Sequence, residues 1–157
     1  MFKTALIIAA ATISTGAIAQ DAEVSVANGE RISIIGGCHD CHSTNYAETG
    51  GKIDPATALK GNPVGYSGPW GTNYAMNLRL VVASKTEDEW VPYIKTLQAG
   101  PPMPWFNLHV LTEAESRSLY QYIKSLGDPG EPAPERVPPG QTPKTPYIVF
   151  APPVMPQ

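Results

Sequence analysis

Cys38-His39-Asp40-Cys41-His42 is the stretch that decides how the rest of this chain is read. The spacing Cys-x-x-Cys-His is the attachment signature of a c-type haem. Two thiols at this spacing can reach the two vinyl groups of one porphyrin and bind it covalently. The histidine that follows is then held beneath the iron and can supply an axial nitrogen. These are the only two cysteines of the chain. Other uses of the pair fit less well. A thioredoxin-like redox site calls for a surrounding βαβ pattern, which is missing. A zinc site would have to recruit His39 or His42, and adjacent residues are strained as joint ligands. A disulfide across so short a loop adds little loop-closure stabilisation and leaves His42 without a reason.

The context upstream suits a haem protein matured after export. Residues 1–19 read as a signal peptide: Lys3 is the positive start, residues 5–13 are an apolar run too short to span a bilayer, and Ala17-Ile18-Ala19 is a small-x-small cleavage pattern. Residues 20–157 have the length of one domain, and no further stretch is long and apolar enough to cross a membrane. The chain carries a net charge of −3, which removal of Lys3 makes more negative. That balance argues against nucleic acid and anionic membrane surfaces as partners. The 17 prolines and 14 glycines predict a loop-rich fold.

Downstream and upstream of the motif, helical signals are few but clear. Residues 21–35 predict a first helix with Ile32 and Ile35 facing inward, stopped by Gly36-Gly37. Residues 43–85 show turns and no sustained helical period; so long a loop is expected to pack on a large cofactor. Thr86-Glu87-Asp88-Glu89 is a capping box, followed by Trp90, Ile94 and Leu97 on one face, with Pro92 expected to kink the helix or delay its start. Thr112-Glu113-Ala114-Glu115 is a second capping box. Leu119, Tyr122, Ile123 and Leu126 recur at i, i+3, i+4, i+7 after it, and Gly127 ends the helix. The remainder is proline-rich and cannot form helices or central strands. It is expected to be extended, draped over the domain or partly disordered, with residues 147–150 its one apolar cluster.

An iron held by His42 takes a sixth ligand or keeps an open position, and that choice separates electron transfer from gas binding or catalysis. The candidates are Met76, Met103, Met155, His109 and His39. Met103 is preferred. It lies far along the chain from His42, among Pro101, Pro102 and Pro104, which stiffen the loop that would press a thioether on the iron. Met76 is second, with packing against the porphyrin the simpler reading. Met155 is in the tail, His109 reads as a surface or hydrogen-bonding histidine, and His39 is expected to point to solvent. Trp70, Tyr74 and Asn77 can donate to haem propionates through indole, phenol and amide groups. Aromatic core is an equally good reading of Trp70 and Tyr74.

Further segments carry a family likeness. They are Val26-Ala27-Asn28-Gly29-Glu30 before the haem motif, Leu59-Lys60-Gly61-Asn62-Pro63, Trp70-Gly71-Thr72-Asn73-Tyr74-Ala75-Met76-Asn77-Leu78, Pro102-Met103-Pro104-Trp105, and the closing helix of residues 112–126. Together with the motif they resemble a class I cytochrome c. More narrowly, they resemble small periplasmic monohaem cytochromes c and the haem domains of dehydrogenase cytochrome subunits. In the related domains a Thr-Pro-Asp segment often follows the Asn-Leu pair; here Arg79-Leu80-Val81-Val82 replaces it. The resemblance implies thioethers at Cys38 and Cys41, His42 as proximal and Met103 as distal ligand.

The expected architecture is therefore all-α, a loop-rich class I cytochrome c fold wrapped around one haem, with a proline-rich C-terminal tail. The expected divisions are a signal peptide at 1–19, a cytochrome c domain at 20–126 and an extended tail at 127–157. The expected role is that of a periplasmic one-electron carrier and not an enzyme. It would accept electrons from a dehydrogenase and pass them to a terminal oxidase, another cytochrome or a similar respiratory acceptor. No nucleophile–base set or phosphate loop competes with that reading. The alternative is a haem subunit of an enzyme, such as a dehydrogenase complex, or a gas or redox sensor with an open or labile sixth position.

Overall fold

Residues 23–156 are described in a computed structural model; the expected signal peptide, residues 1–19, lies outside them. The first helix, α1 (Val26–Ile35), starts where Ser25 accepts a hydrogen bond from the Asn28 amide. It is therefore shorter than the expected 21–35, and a serine cap rather than an acidic residue sets its start. Ile32 is buried at 4% exposure, but Ile35 is 68% exposed, not inward. The haem-motif residues form a one-turn helix, α2 (Cys38–His42), entered through Gly37 in the left-handed region at φ +67°. Glycine takes that conformation with no side-chain penalty, so the chain can turn from α1 directly into α2.

Both capping boxes form. Thr86 and Glu89 cap α4 (Glu87–Thr96), and Thr112 and Glu115 cap α5 (Glu113–Ser125). Pro92 does not delay α4, which begins at Glu87 and runs through it. α5 buries Leu119, Tyr120, Tyr122 and Ile123 against Ile32, Trp90 and Ile94. Each large apolar side chain so buried contributes about 1.5–3 kcal/mol. α1 crosses α5 at Gly29, where an added Cβ would fall on the Ser118 carbonyl, so only glycine lets the two backbones meet.

The segment expected to be loop contains structure. Residues 65–74 form a hairpin of β1 (Gly65–Gly68) and β2 (Gly71–Tyr74) around a two-residue turn, with Gly71 at φ +93°. After it, Asn77 accepts from the amides of Arg79 and Leu80 and starts a short helix, α3 (Leu78–Ala83). The tail contributes β3 (Tyr147–Val149), which pairs in parallel with β1 to give the sheet order β2-β1-β3. The all-α expectation is thus corrected: the fold is helix-rich and loop-rich but carries a small three-stranded sheet. Its tail strand is at an edge, where a proline-rich segment can pair on one side only.

The tail is docked at several points up to Phe150. The amide of Gly65 donates to the Pro146 carbonyl, the amide of Phe150 to Ser67, and Thr72 and Val137 exchange backbone bonds in both directions. The Phe150 ring packs on Tyr66 and Trp70 at 6.2 and 5.9 Å between centroids.

Arg79 joins these parts from within. It is buried, and its guanidinium donates to the carbonyls of Pro55, Ala58, Leu126 and Asp128 at 2.6–3.2 Å. Leu126 is the C-cap of α5, where a cation also meets the negative end of the helix dipole.

Candidate haem site

Residues three apart on a helix share a face. α2 therefore sets Cys38 and Cys41 side by side, both half-buried and both free thiols. Burial pushes the Cys38 thiol up to about 11, and the Asp40 carboxylate and Cys41 add to that. A free thiol is thus held protonated here until it is consumed in a bond.

His42 ends the turn and is nearly buried. Its Nδ1–H donates to the main-chain carbonyl of Met76 at 2.8 Å. Burial lowers its pKa, so the ring is neutral. With the hydrogen assigned to Nδ1 by this bond, Nε2 is left with a lone pair and no hydrogen-bond partner among the described residues. Among the described residues no sealed side-chain nitrogen or oxygen lacks a partner, so Nε2 keeps an opening to solvent. A neutral imidazole with one nitrogen oriented by a carbonyl and the other open is the form that ligates a metal. Among the described residues no group of three or more His, Cys, Asp or Glu is placed to hold a metal ion by itself.

Met103 is half-buried, in a turn just before a 3-10 helix (Trp105–Val110). The loop is held on the N-terminal side of Met103: the Met103 amide donates to Gly100 at 3.3 Å, and the Asn73 side-chain amide donates to the Pro101 carbonyl at 2.5 Å. His109 is committed through Nε2 to the Leu97 carbonyl, at 2.9 Å. Met76 contributes its carbonyl, while its side chain is 50% exposed.

The three residues expected at the propionates have their donors engaged by the protein. Trp70 Nε1–H donates to the Tyr66 carbonyl at 3.3 Å, and Tyr74 shares a hydrogen bond with Thr145 at 2.8 Å. Asn77 departs furthest from expectation. Its side-chain nitrogen donates to the carbonyls of Pro129 and Glu131, and its oxygen caps α3. Asn77 is a joint between the hairpin and the tail.

Sequence reasoning missed four residues. His39 is fully buried instead of facing solvent, inside a hydrogen-bond network with Ser33, Ser43 and Tyr122. Burial raises the pKa of the Tyr66 phenol well above its usual range, and the neighbouring Cys41 adds to that. Asn73 links the Met103 loop to Arg136 of the tail. Arg79 has no local sign at all, since its partners are main-chain carbonyls.

A paired-thiol turn, an oriented histidine and a helix-rich frame around them define a c-type haem protein. The Cytochrome c family model matches residues 26–127, and the chain belongs to that family. No curated protein matches the chain, and no solved structure does. Membership carries a covalently bound c-type haem with its iron and the role of haem-based electron transfer. The described residues fit that group through Cys38, Cys41 and the open Nε2 of His42. The segment beyond residue 127, which builds β3, lies outside the match.

Proposed function

We propose that Cys38 and Cys41 form the two thioethers, that His42 Nε2 is the fifth ligand, and that Met103 Sδ is the sixth. The chain then works as a one-electron carrier in the periplasm, delivered there by residues 1–19. It takes electrons from a periplasmic dehydrogenase and gives them to a terminal oxidase or another cytochrome. When bound, the haem supplies a one-electron ferric/ferrous couple. The chain holds the porphyrin by two covalent bonds, keeps His42 in the ligating tautomer, and stiffens the Met103 loop. Trp70 and Tyr74 wall the hairpin side, their polar atoms being used by Tyr66 and Thr145.

The observation that carries this reading is the His42 Nδ1–H bond to Met76, which leaves Nε2 open beside the free cysteine pair. No helix among the described residues is long and apolar enough to cross a membrane. Carbon monoxide titration of the reduced protein tests it. A closed His/Met iron binds the gas poorly at neutral pH and gives a reversible one-electron wave at an electrode. Rapid stoichiometric binding would mean an open position and would favour a sensor or enzyme subunit.

A further inference from the structure

His39 occupies one of the two spacer positions of the haem motif, and spacer residues are not required to do anything. This one is 0% exposed. Its Nε2 lies 3.1 Å from Ser33 Oγ of α1 and 3.2 Å from Tyr122 Oη of α5, and its Nδ1 lies 2.8 Å from Ser43 Oγ. Tyr46 stacks on the ring at 5.1 Å. The neighbours assign the protons. Ser33 Oγ–H already donates to the Glu30 carbonyl at 2.7 Å, so its hydrogen bond with the ring needs the hydrogen on Nε2, which Ser33 Oγ then shares with Tyr122 Oη as second acceptor. Nδ1 then accepts from Ser43 Oγ–H, whose oxygen receives the Leu59 amide at 2.8 Å. The result is one directed chain: Leu59 N–H to Ser43, Ser43 to His39, His39 to Ser33, Ser33 to Glu30. No buried polar side-chain atom in it lacks a partner.

The chain starts at a strained residue that leads back to the proximal histidine. Leu59 is fully buried with φ +56°, a conformation that disfavours a branched side chain. It persists because both its backbone groups are fixed: its amide by Ser43, its carbonyl by the amide of Leu78. Next to it, the Gly61 amide donates to the His42 carbonyl, and the Asn62 amide to Ala75. Residues 59–62 therefore hold residues 75–78 in place, and Met76, whose carbonyl receives His42 Nδ1–H, lies in that segment.

We infer that His39 is a positioning residue for the proximal ligand, acting through Ser43 and Leu59 on the Met76 carbonyl that orients His42. The inference rests on His42 being the iron ligand. A shorter Nδ1–H···O contact makes the imidazole a stronger donor and favours the ferric state. Loosening it raises the reduction potential.

The test uses the haem-loaded protein and three variants. His39→Leu removes the network, Ser43→Ala cuts it at the other end while leaving the imidazole, and Ser118→Ala is the control. Ser118 is equally buried and also ties α1 to α5, accepting from the amide of Ser25 at 3.2 Å, but does not touch this chain. Proton NMR reads solvent exchange of the His42 Nδ1–H, and voltammetry reads the potential. The expected result is exchange about tenfold faster and a higher potential in both His39→Leu and Ser43→Ala, with partial rescue in His39→Gln. Ser118→Ala should lose thermal stability with neither readout moved. Loss of stability in His39→Leu and Ser43→Ala with unchanged exchange and potential would overturn the inference and leave His39 as helix packing. If His39→Leu does not fold, Ser43→Ala decides. A wild-type His42 signal without the large shift of an iron-bound ring would overturn the ligand assignment, and the inference with it.

Discussion

The Nδ1–H of His42 donates to the main-chain carbonyl of Met76 across 2.8 Å, joining the haem-motif turn to the segment between the hairpin and α3. The bond uses Met76's backbone, and its side chain is largely exposed. Met76→Ala should therefore leave the spectrum of the loaded protein and its reduction potential close to wild type. Loss of the thioether-to-iron band in this variant would move the sixth ligand from Met103 to Met76.

Cys38 and Cys41 are both free and stand one turn apart. Each single alanine variant should keep one thioether, and the double variant none. After denaturing electrophoresis, haem-dependent peroxidase staining should persist in the single variants and vanish in the double. Staining of the double variant would show attachment elsewhere.

The docked tail predicts an unequal response to two glycine substitutions. A Cβ at Gly71 would fall on the Val137 carbonyl, whereas one at Gly140 meets nothing within 4 Å; both glycines have positive φ. Gly140→Ala should cost about 1 kcal/mol from backbone strain alone, and Gly71→Ala clearly more, because it also displaces the tail. Equal melting temperatures for the two variants would mean the tail adds nothing to the fold.

Arg79→Leu should destabilise the protein by about 2–4 kcal/mol, since it leaves four carbonyls in the interior without their donor. Arg79→Lys should recover little, because an ammonium cannot present the planar fork that reaches Pro55, Ala58 and Leu126 at once. Urea unfolding of the three proteins measures this. A near-wild-type Arg79→Leu would show that water replaces the guanidinium.

What the sequence made legible was local. Thr86 with Glu89, Thr112 with Glu115, and the apolar spacing from Leu119 to Ile123 each depend on residues within two turns, and each formed as read. The one-turn helix that carries the cysteine pair and His42 is local in the same way, since Gly37 before it and the short Cys38–His42 stretch set it. What was missed depends on chain segments far apart. β1 finds β3 across some eighty residues of sequence, and no local period marks a parallel partner at that range. His39 looked like a solvent-facing spacer because its partners on α1 and α5 meet only once those helices cross at Gly29. Ile35 was placed inward by helical period alone, but α1 turns only its Gly29, Ile32 and Ser33 positions to the core.

The central claim is that the iron is closed by His42 and Met103, which makes the protein an electron carrier. It is tested most directly by the far-red absorption of the oxidised protein, where thioether-to-ferric-iron charge transfer gives a weak band. The band should be present in the wild type and in Met76→Ala, and absent in Met103→Ala, whose reduction potential should also fall because a neutral sulfur ligand favours the ferrous state. A Met103→Ala protein that keeps the band, or a wild type that lacks it, would contradict the account.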